Sequence, residues 1–476
     1  MRRSLWPPRR RGPRPATLTA EGPYTAGMLA PALALALAAQ TPVLPPFAPG
    51  LRPPVPGALI LEHPCPRAEA GFGQSVALLD LDGNGVQDLA VGAYLEGLVY
   101  VHFGRPHATP ARPFDRVVRT FTTLGPAVCG VPYQDGLLGY ALHATQLDGD
   151  APDELVAGAP GEQAPGSASL AGACYLYGGV TGSTPTRLAP PAGMEGRYGN
   201  TITAGDFDGD GVQDLVISAP QALVGGVAAG RVIVLPGGPL QPTGPALVLD
   251  NPFPILNGNY GHNLAVGDGN SDGIDDLYVG AIGNTAQGVA RAGQVFFYPG
   301  PLDAGVMTVI EDPFPDPADQ PGPRYSMHIH AREHFLAVGA NRKDHTGLHD
   351  PGMGYVQSGP LFQDTTLHVH PTPVDSDYLG FRCQIGDFVG DSSLDFAFLV
   401  LRTRQLAFWD GDDLTGPPLL YSCAPGSADH LGNGTTSGRL FPLGREQLIL
   451  GDPTFDDPRV DNGNNNCGRV VVYTLP

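Results

Sequence analysis

Basic residues are scarce in this 476-residue chain: 27 lysines and arginines face 47 aspartates and glutamates, for a formal charge of −20. A nucleic-acid binder needs a basic surface to meet phosphates, so that class is excluded. Charged residues of both signs make up only 16% of the chain. The acidic side chains must therefore sit in particular places rather than in a general charged coat, which favours cations as partners. The six cysteines (Cys65, Cys129, Cys174, Cys383, Cys423, Cys467) include no C-x-x-C pair. That absence removes zinc ribbons and thioredoxin-like motifs. No H-E-x-x-H, G-x-S-x-G or phosphate-binding glycine loop occurs either.

Membrane-spanning runs are lacking as well. The apolar run Met28–Ala39 is too short to cross a bilayer, and no other segment approaches the required length. It follows Arg2, Arg3, Arg9, Arg10, Arg11 and Arg14 and ends in small residues, the plan of an export signal. Residues 1–40 are thus expected to be a signal peptide, with a start at Met28 or an uncleaved anchor as alternatives. Its removal would leave a formal charge of about −25. Residues 41–57 read as a proline-rich linker. In an exported chain the even cysteine count suggests disulfides, of which six cysteines allow about 15 pairings.

Glycine (66) and proline (51) are plentiful, as short strands joined by tight turns require. One pattern recurs from Phe72 onward: an aromatic or leucine before glycine, an acidic loop, an apolar strand ending near Gly-Ala, and a further apolar strand. The first copy runs from Phe72 to Ala93, and others open at Leu138-Gly139, Tyr198-Gly199 and Tyr260-Gly261. Three worn copies open at Tyr325-Ser326, Leu379-Gly380 and Leu431-Gly432. Starts about 60 residues apart fit four-stranded blades with long loops, so the pattern predicts an all-β, seven-bladed β-propeller over residues 58–476. The last copy ends at RVVVYTLP, which is only its third strand. ALILEHP (58–64) has the character of the missing outer strand and is expected to pair with residues 469–475, which would let Cys65 and Cys467 form a disulfide.

The residues of these copies, above all the acidic loop followed by D-L-x-x-G-A, resemble the FG-GAP repeat family, whose best-known members are the propeller heads of integrin alpha subunits. The resemblance covers roughly residues 58–476. Leg domains and a C-terminal membrane helix are absent from the sequence, so a stand-alone, bacterial-type secreted relative is expected rather than an adhesion receptor subunit.

Calcium takes six to eight oxygens, and acidic residues at alternate positions of a tight loop supply them. In D-x-D-x-D-G-x-x-D, side chains at positions 1, 3, 5 and 9 and the carbonyl at 7 are the candidate ligands. The third copy has Asp206, Asp208, Asp210, the carbonyl of Val212, and Asp214. The first has Asp80, Asp82, Asn84, the carbonyl of Val86, and Asp88; the fourth has Asp268, Asn270, Asp272, the carbonyl of Ile274, and Asp276. The second copy is weaker, with Asp148, Asp150 and Glu154. The sixth keeps Asp387, Asp391 and Asp395 but has Val389 at the third position. Aspartate-rich turns form without metal. Three matched copies at one point of a repeat nevertheless argue for Ca2+.

His328, His330 and His334 cluster in one stretch, and His368 and His370 form a second H-x-H. Each pair could present two imidazoles on one strand face. Strand residues replacing the fifth acidic loop are the simpler account. Two functions stay open. One is a monomeric, non-catalytic calcium-stabilised module that binds an extracellular protein or glycan. The other is an extracellular carbohydrate-active enzyme with its site on the open face.

Overall fold

The computed structural model describes the backbone of residues 51–52 and residues 58–475, less 110–111, 123–124, 127–135, 150, 165–168, 179–183, 239–246, 317–321, 346, 360–361, 424–431, 442 and 458–465. The expected signal peptide and most of the linker lie outside the described residues.

Strands and no α-helix make up the described chain. Seven antiparallel blades follow one another, their strands in sequence order from one edge except that Leu59–Glu62 completes the seventh; Leu51–Arg52 adds in parallel to the outer strand Leu419–Ser422 of the sixth. The first blade comprises Phe72–Leu79, Asp88–Ala93, Leu98–Thr109 and Arg112–Thr122. The fourth comprises Tyr260–Gly267, Asp276–Ala281, Gln294–Tyr298 and Thr308–Ile310. The fifth comprises Tyr325–Arg332, Phe335–Ala340, Met353–Ser358 and Asp364–His368. In the seventh, Thr435–Gly438, Gln447–Asp452 and Arg469–Tyr473 are joined by Leu59–Glu62, which pairs antiparallel with the last of them. Leu59 and Leu61 face inward while Ile60 and Glu62 are exposed, the alternation of an outer strand packed on one side.

The second strand of each blade is buried nearly throughout, because both of its faces meet neighbouring strands and blades. DLAVGA, ELVAGA, DLVISA and DLYVGA have no exposed position. Such strands read as continuous apolar runs and not as alternating ones. Seven hydrophobic clusters each span two consecutive blades, and one of them joins Phe72 and Tyr100 of the first blade to Ile449 and Val472 of the seventh. The ring is therefore continuous. Fully buried aliphatic and aromatic side chains at these interfaces stabilise by about 1.5–3 kcal/mol each.

The two glycines of the repeat have one purpose. Gly139 adopts a φ of 83°, which favours glycine, and its carbonyl rests against Gly92 of the preceding blade. A Cβ on Gly92 would lie 2.0 Å from that oxygen, and one on Gly158 would lie 2.0 Å from the oxygen of Gly199.

The expected Cys65–Cys467 bridge is not formed. Cys65 is disulfide-bonded, whereas Cys467 is a buried thiol. The register that pairs Glu62 with Arg469 would set residue 64, not Cys65, opposite Cys467, and neighbouring strand positions face opposite sides. The chain also leaves the sheet at His63, which buries its ring against Phe72 and Tyr100.

Candidate metal centres

Each acidic loop joins the first two strands of its blade, and its hydrogen bonds explain the spacing of its residues. In the third loop, Asp206 accepts the N–H groups of Asp210 and Gly211 at 3.1 and 2.9 Å. Asp208 accepts the Asp210 N–H at 3.1 Å, and Asp210 accepts that of Val212 at 2.8 Å. The first loop repeats this: Asp80 accepts from Asn84 and Gly85, Asp82 from Asn84, and Asn84 from Val86. So does the fourth, where Asp268 accepts from Asp272 and Gly273, Asn270 from Asp272, and Asp272 from Ile274. Alternate side chains turn inward to cap the loop's own backbone, and that brings their oxygens together.

Ligand-type atoms of Asp80, Asp82 and Asp88 lie within 4.8 Å of one another, as do those of Asp206, Asp208 and Asp210. The ninth-position carboxylate is the deepest. Asp88 is buried, accepting the Leu81 and Gly104 N–H groups at 3.0 and 2.8 Å. Asp214 and Asp276 accept the equivalent bonds from Gly237 and Gly300. Burial, with the charges of Asp82 and Asp80 added, pushes the Asp88 carboxyl up to about 7. Burial pushes Asp276 up to about 6 and raises Asp214. A divalent cation would reverse these shifts by compensating the clustered charge. The donor set is all oxygen, which suits a hard cation.

In the second loop Glu154 accepts the Leu147 N–H at 2.9 Å and is pushed up to about 7 by burial, with Asp148 adding its charge. Asp150 lies outside the described residues. The sixth loop differs in kind: Asp387 faces Arg439 at 3.7 Å, so a side-chain cation already stands beside it. Asp391 there groups instead with Asp410 and Asp412, from the turn after the third strand of that blade. In the fifth blade a tight turn at Glu333–His334 replaces the loop, and Asp344, His349 and Asp350 gather on a later turn. The sequence reading missed both clusters. The runs DGDD (410–413) and DHTGLHD (344–350) were the only signals of them. His328 and His330 lie on the first strand of the fifth blade and His368 on its fourth, so the two H-x-H pairs do not form one site.

Seven four-stranded blades in a closed ring, several carrying an oxygen-rich hairpin loop, define a β-propeller with repeat-borne acidic clusters. A family model described as "FG-GAP repeat" matches residues 72–105 and 198–235, so two of the blades carry that repeat and the propeller is similar to those of integrin alpha chains. It is 34% identical to mouse integrin alpha-IIb over 165 residues, covering 32% of this chain and 16% of that protein. Over 236 residues it is 31% identical to integrin alpha-5 of Xenopus laevis, covering 44% and 20%. Human phosphatidylinositol-glycan-specific phospholipase D is 28% identical over 176 residues, covering 34% and 21%. The chain thus matches about a fifth or less of the length of these relatives. Among solved structures, virginiamycin B lyase from Staphylococcus aureus superposes with a TM-score of 0.47 at 10% identity, covering 88% of this chain and 98% of that one. That likeness supports no conclusion about chemistry.

Proposed function

We propose that this protein is an exported, calcium-binding β-propeller that serves as a non-catalytic interaction module for an extracellular protein or glycan. The observation that carries the reading is that ligand-type oxygens gather in the same hairpin of two blades, those of Asp80, Asp82 and Asp88 in one and of Asp206, Asp208 and Asp210 in the other, each set within 4.8 Å. Calcium at these points would offset like-charge repulsion and rigidify the hairpins, leaving a face of the ring for a partner. Extracellular modules bind calcium at roughly 10⁻⁴–10⁻³ M, a range that external calcium can fill. The basic and apolar start of the chain and the similarity to integrin alpha chains support export.

Calorimetric titration of the purified chain tests the metal, and glycan-array and pull-down screens with calcium present test the role. No calcium uptake, with a melting curve unmoved by chelation, would overturn the first part. The similarity to a phospholipase D favours a second reading, an extracellular hydrolase. A hydrolysis product from a polysaccharide or glycolipid, without stoichiometric binding, would establish it in place of the first.

A further inference from the structure

The first strands of the seven blades ring a central channel, and one cation stands out in it. Arg382 lies on the first strand of the sixth blade, Leu379–Gly386, at the inner edge of its sheet. Its guanidinium donates to the carbonyl of Phe381 at 2.8 Å and to Oδ1 of Asn433 at 3.3 Å, while Nε is buried without a partner. No carboxylate pairs with it among the described residues. The guanidinium also lies over the Phe381 ring, 4.5 Å from its centroid, and at this half-buried position its remaining N–H groups stay unspent, donors that an anion would complete.

The groups whose charges act on this region are mostly arginines and histidines. The field of Arg382 reaches across the channel to Tyr140 of the second blade and His262 of the fourth, and to His328 of the neighbouring fifth. Arg324, just before the first strand of the fifth blade, also acts on His262. It is flanked by Arg291 and Arg342, and Asp350 is the carboxylate that acts on it. Burial holds Arg382 down at about 10 and His262 at about 4. An arginine without a carboxylate partner on an inner strand of a chain with a charge of −20 calls for a local reason.

We propose that the central channel binds an oxyanion, a carboxylate or sulfate group, on the guanidinium of Arg382. A planar guanidinium offers paired N–H donors that match two oxygens of such a group. The proposal stands apart from the calcium reading, because anion titration reads the channel whether or not the loops hold metal.

The test compares sulfate, acetate and glucuronate with chloride at matched ionic strength, by titration calorimetry and by melting of the full chain. One anion should bind per chain and raise the melting temperature above the chloride value. Arg382→Gln should weaken binding at least about tenfold, and Arg382→Lys should weaken it less, since a point charge keeps attraction but loses the paired donors. Arg187→Gln, which breaks a contact with Glu162 elsewhere, should leave binding unchanged. Tighter binding of glucuronate than of acetate would identify a sugar acid as the source; equal binding would identify a free anion. No effect beyond chloride, or equal affinity in Arg382→Gln and the parent, would overturn the proposal. Should Arg382→Gln fail to fold, unchanged affinity in Arg382→Lys would overturn it.

Discussion

The backbone N–H of Asp80 donates to Oδ2 of Asp153 at 2.7 Å, and the N–H of Asp153 donates back to the carbonyl of Asp80 at 3.1 Å. These residues belong to the acidic loops of the first and second blades. Asp206 and Asp275 make the same two bonds between the third and fourth, at 2.9 and 3.2 Å. Between the second and third blades, Gln213 accepts the Gln146 N–H at 3.0 Å. The residue before the ninth loop position therefore clasps the first position of the loop in the preceding blade. The loops are a linked series along one face and not independent hairpins.

A clasp residue that is not itself a candidate ligand should then affect its neighbour's metal. Asp275→Ala removes the acceptor of the Asp206 N–H and should lower stability by about 1 kcal/mol. It should also weaken calcium binding in the third loop several-fold, while Asp275→Ser restores part of the affinity. Calorimetry with the fourth loop disabled by Asp268→Ala isolates the effect. Unchanged affinity would show that the clasp only joins blades.

Blade count and loop positions were legible in the sequence because they depend on local pattern. Phe72-Gly73, the alternating acids from Asp80 to Asp88 and the buried run to Ala93 lie within one hairpin. The meeting of Asp391 with Asp410 and Asp412 was not legible, because it depends on how a turn after the third strand folds back toward the first hairpin. The role of Asp153 was hidden for the same reason: its partner, Asp80, lies in the preceding blade. The Cys65–Cys467 expectation failed on a register difference of a single residue, which no composition signal carries.

The glycine contacts between blades give a sharp test of packing. Gly158 meets the oxygen of Gly199, and a Cβ there would sit at 2.0 Å, far inside van der Waals contact. Gly158→Ala should cost about 2 kcal/mol or more, because the second and third blades must part to admit it. Gly178→Ala, where nothing lies within 4 Å, serves as the control. Denaturant melts of the two variants should differ clearly, and equal midpoints would refute this account of the repeat.

Individual ligands should behave locally. Asp208 is exposed, and besides its group with Asp206 and Asp210 it accepts, among the described residues, the N–H of Asp210 alone. Asp208→Ala should weaken one calcium site about tenfold and leave the other loops unaffected. The melting temperature without calcium should change little, and the calcium-dependent rise should shrink by one site's share. A loss of all calcium response would mean that the loops bind cooperatively.

Stability should fall on acidification, and buried histidines set the window. Burial pushes His102, His143, His330 and His368 down to about 4. His368 is the clearest case: it is fully buried, stacks on Phe398, meets Trp409 edge-on, and has no hydrogen-bond partner on either ring nitrogen. In the unfolded chain these rings titrate near 6.5, so below that pH the unfolded state holds more protons than the folded one. Their contribution is complete above about 6.5 and is lost progressively as the pH falls toward about 4. The raised loop carboxyls work in the opposite direction when metal is absent. Asp88 and Glu154, pushed up to about 7, hold protons in the fold that the unfolded chain has released by then. Saturating calcium replaces those protons and removes their effect, so the histidine slope should stand out in calcium and be blunted in chelator. His368→Phe keeps an aromatic ring between Phe398 and Trp409 without a titrating group, and should flatten the acid limb of a melting-temperature curve measured in calcium. The same acid slope in parent and variant would assign the loss to other groups.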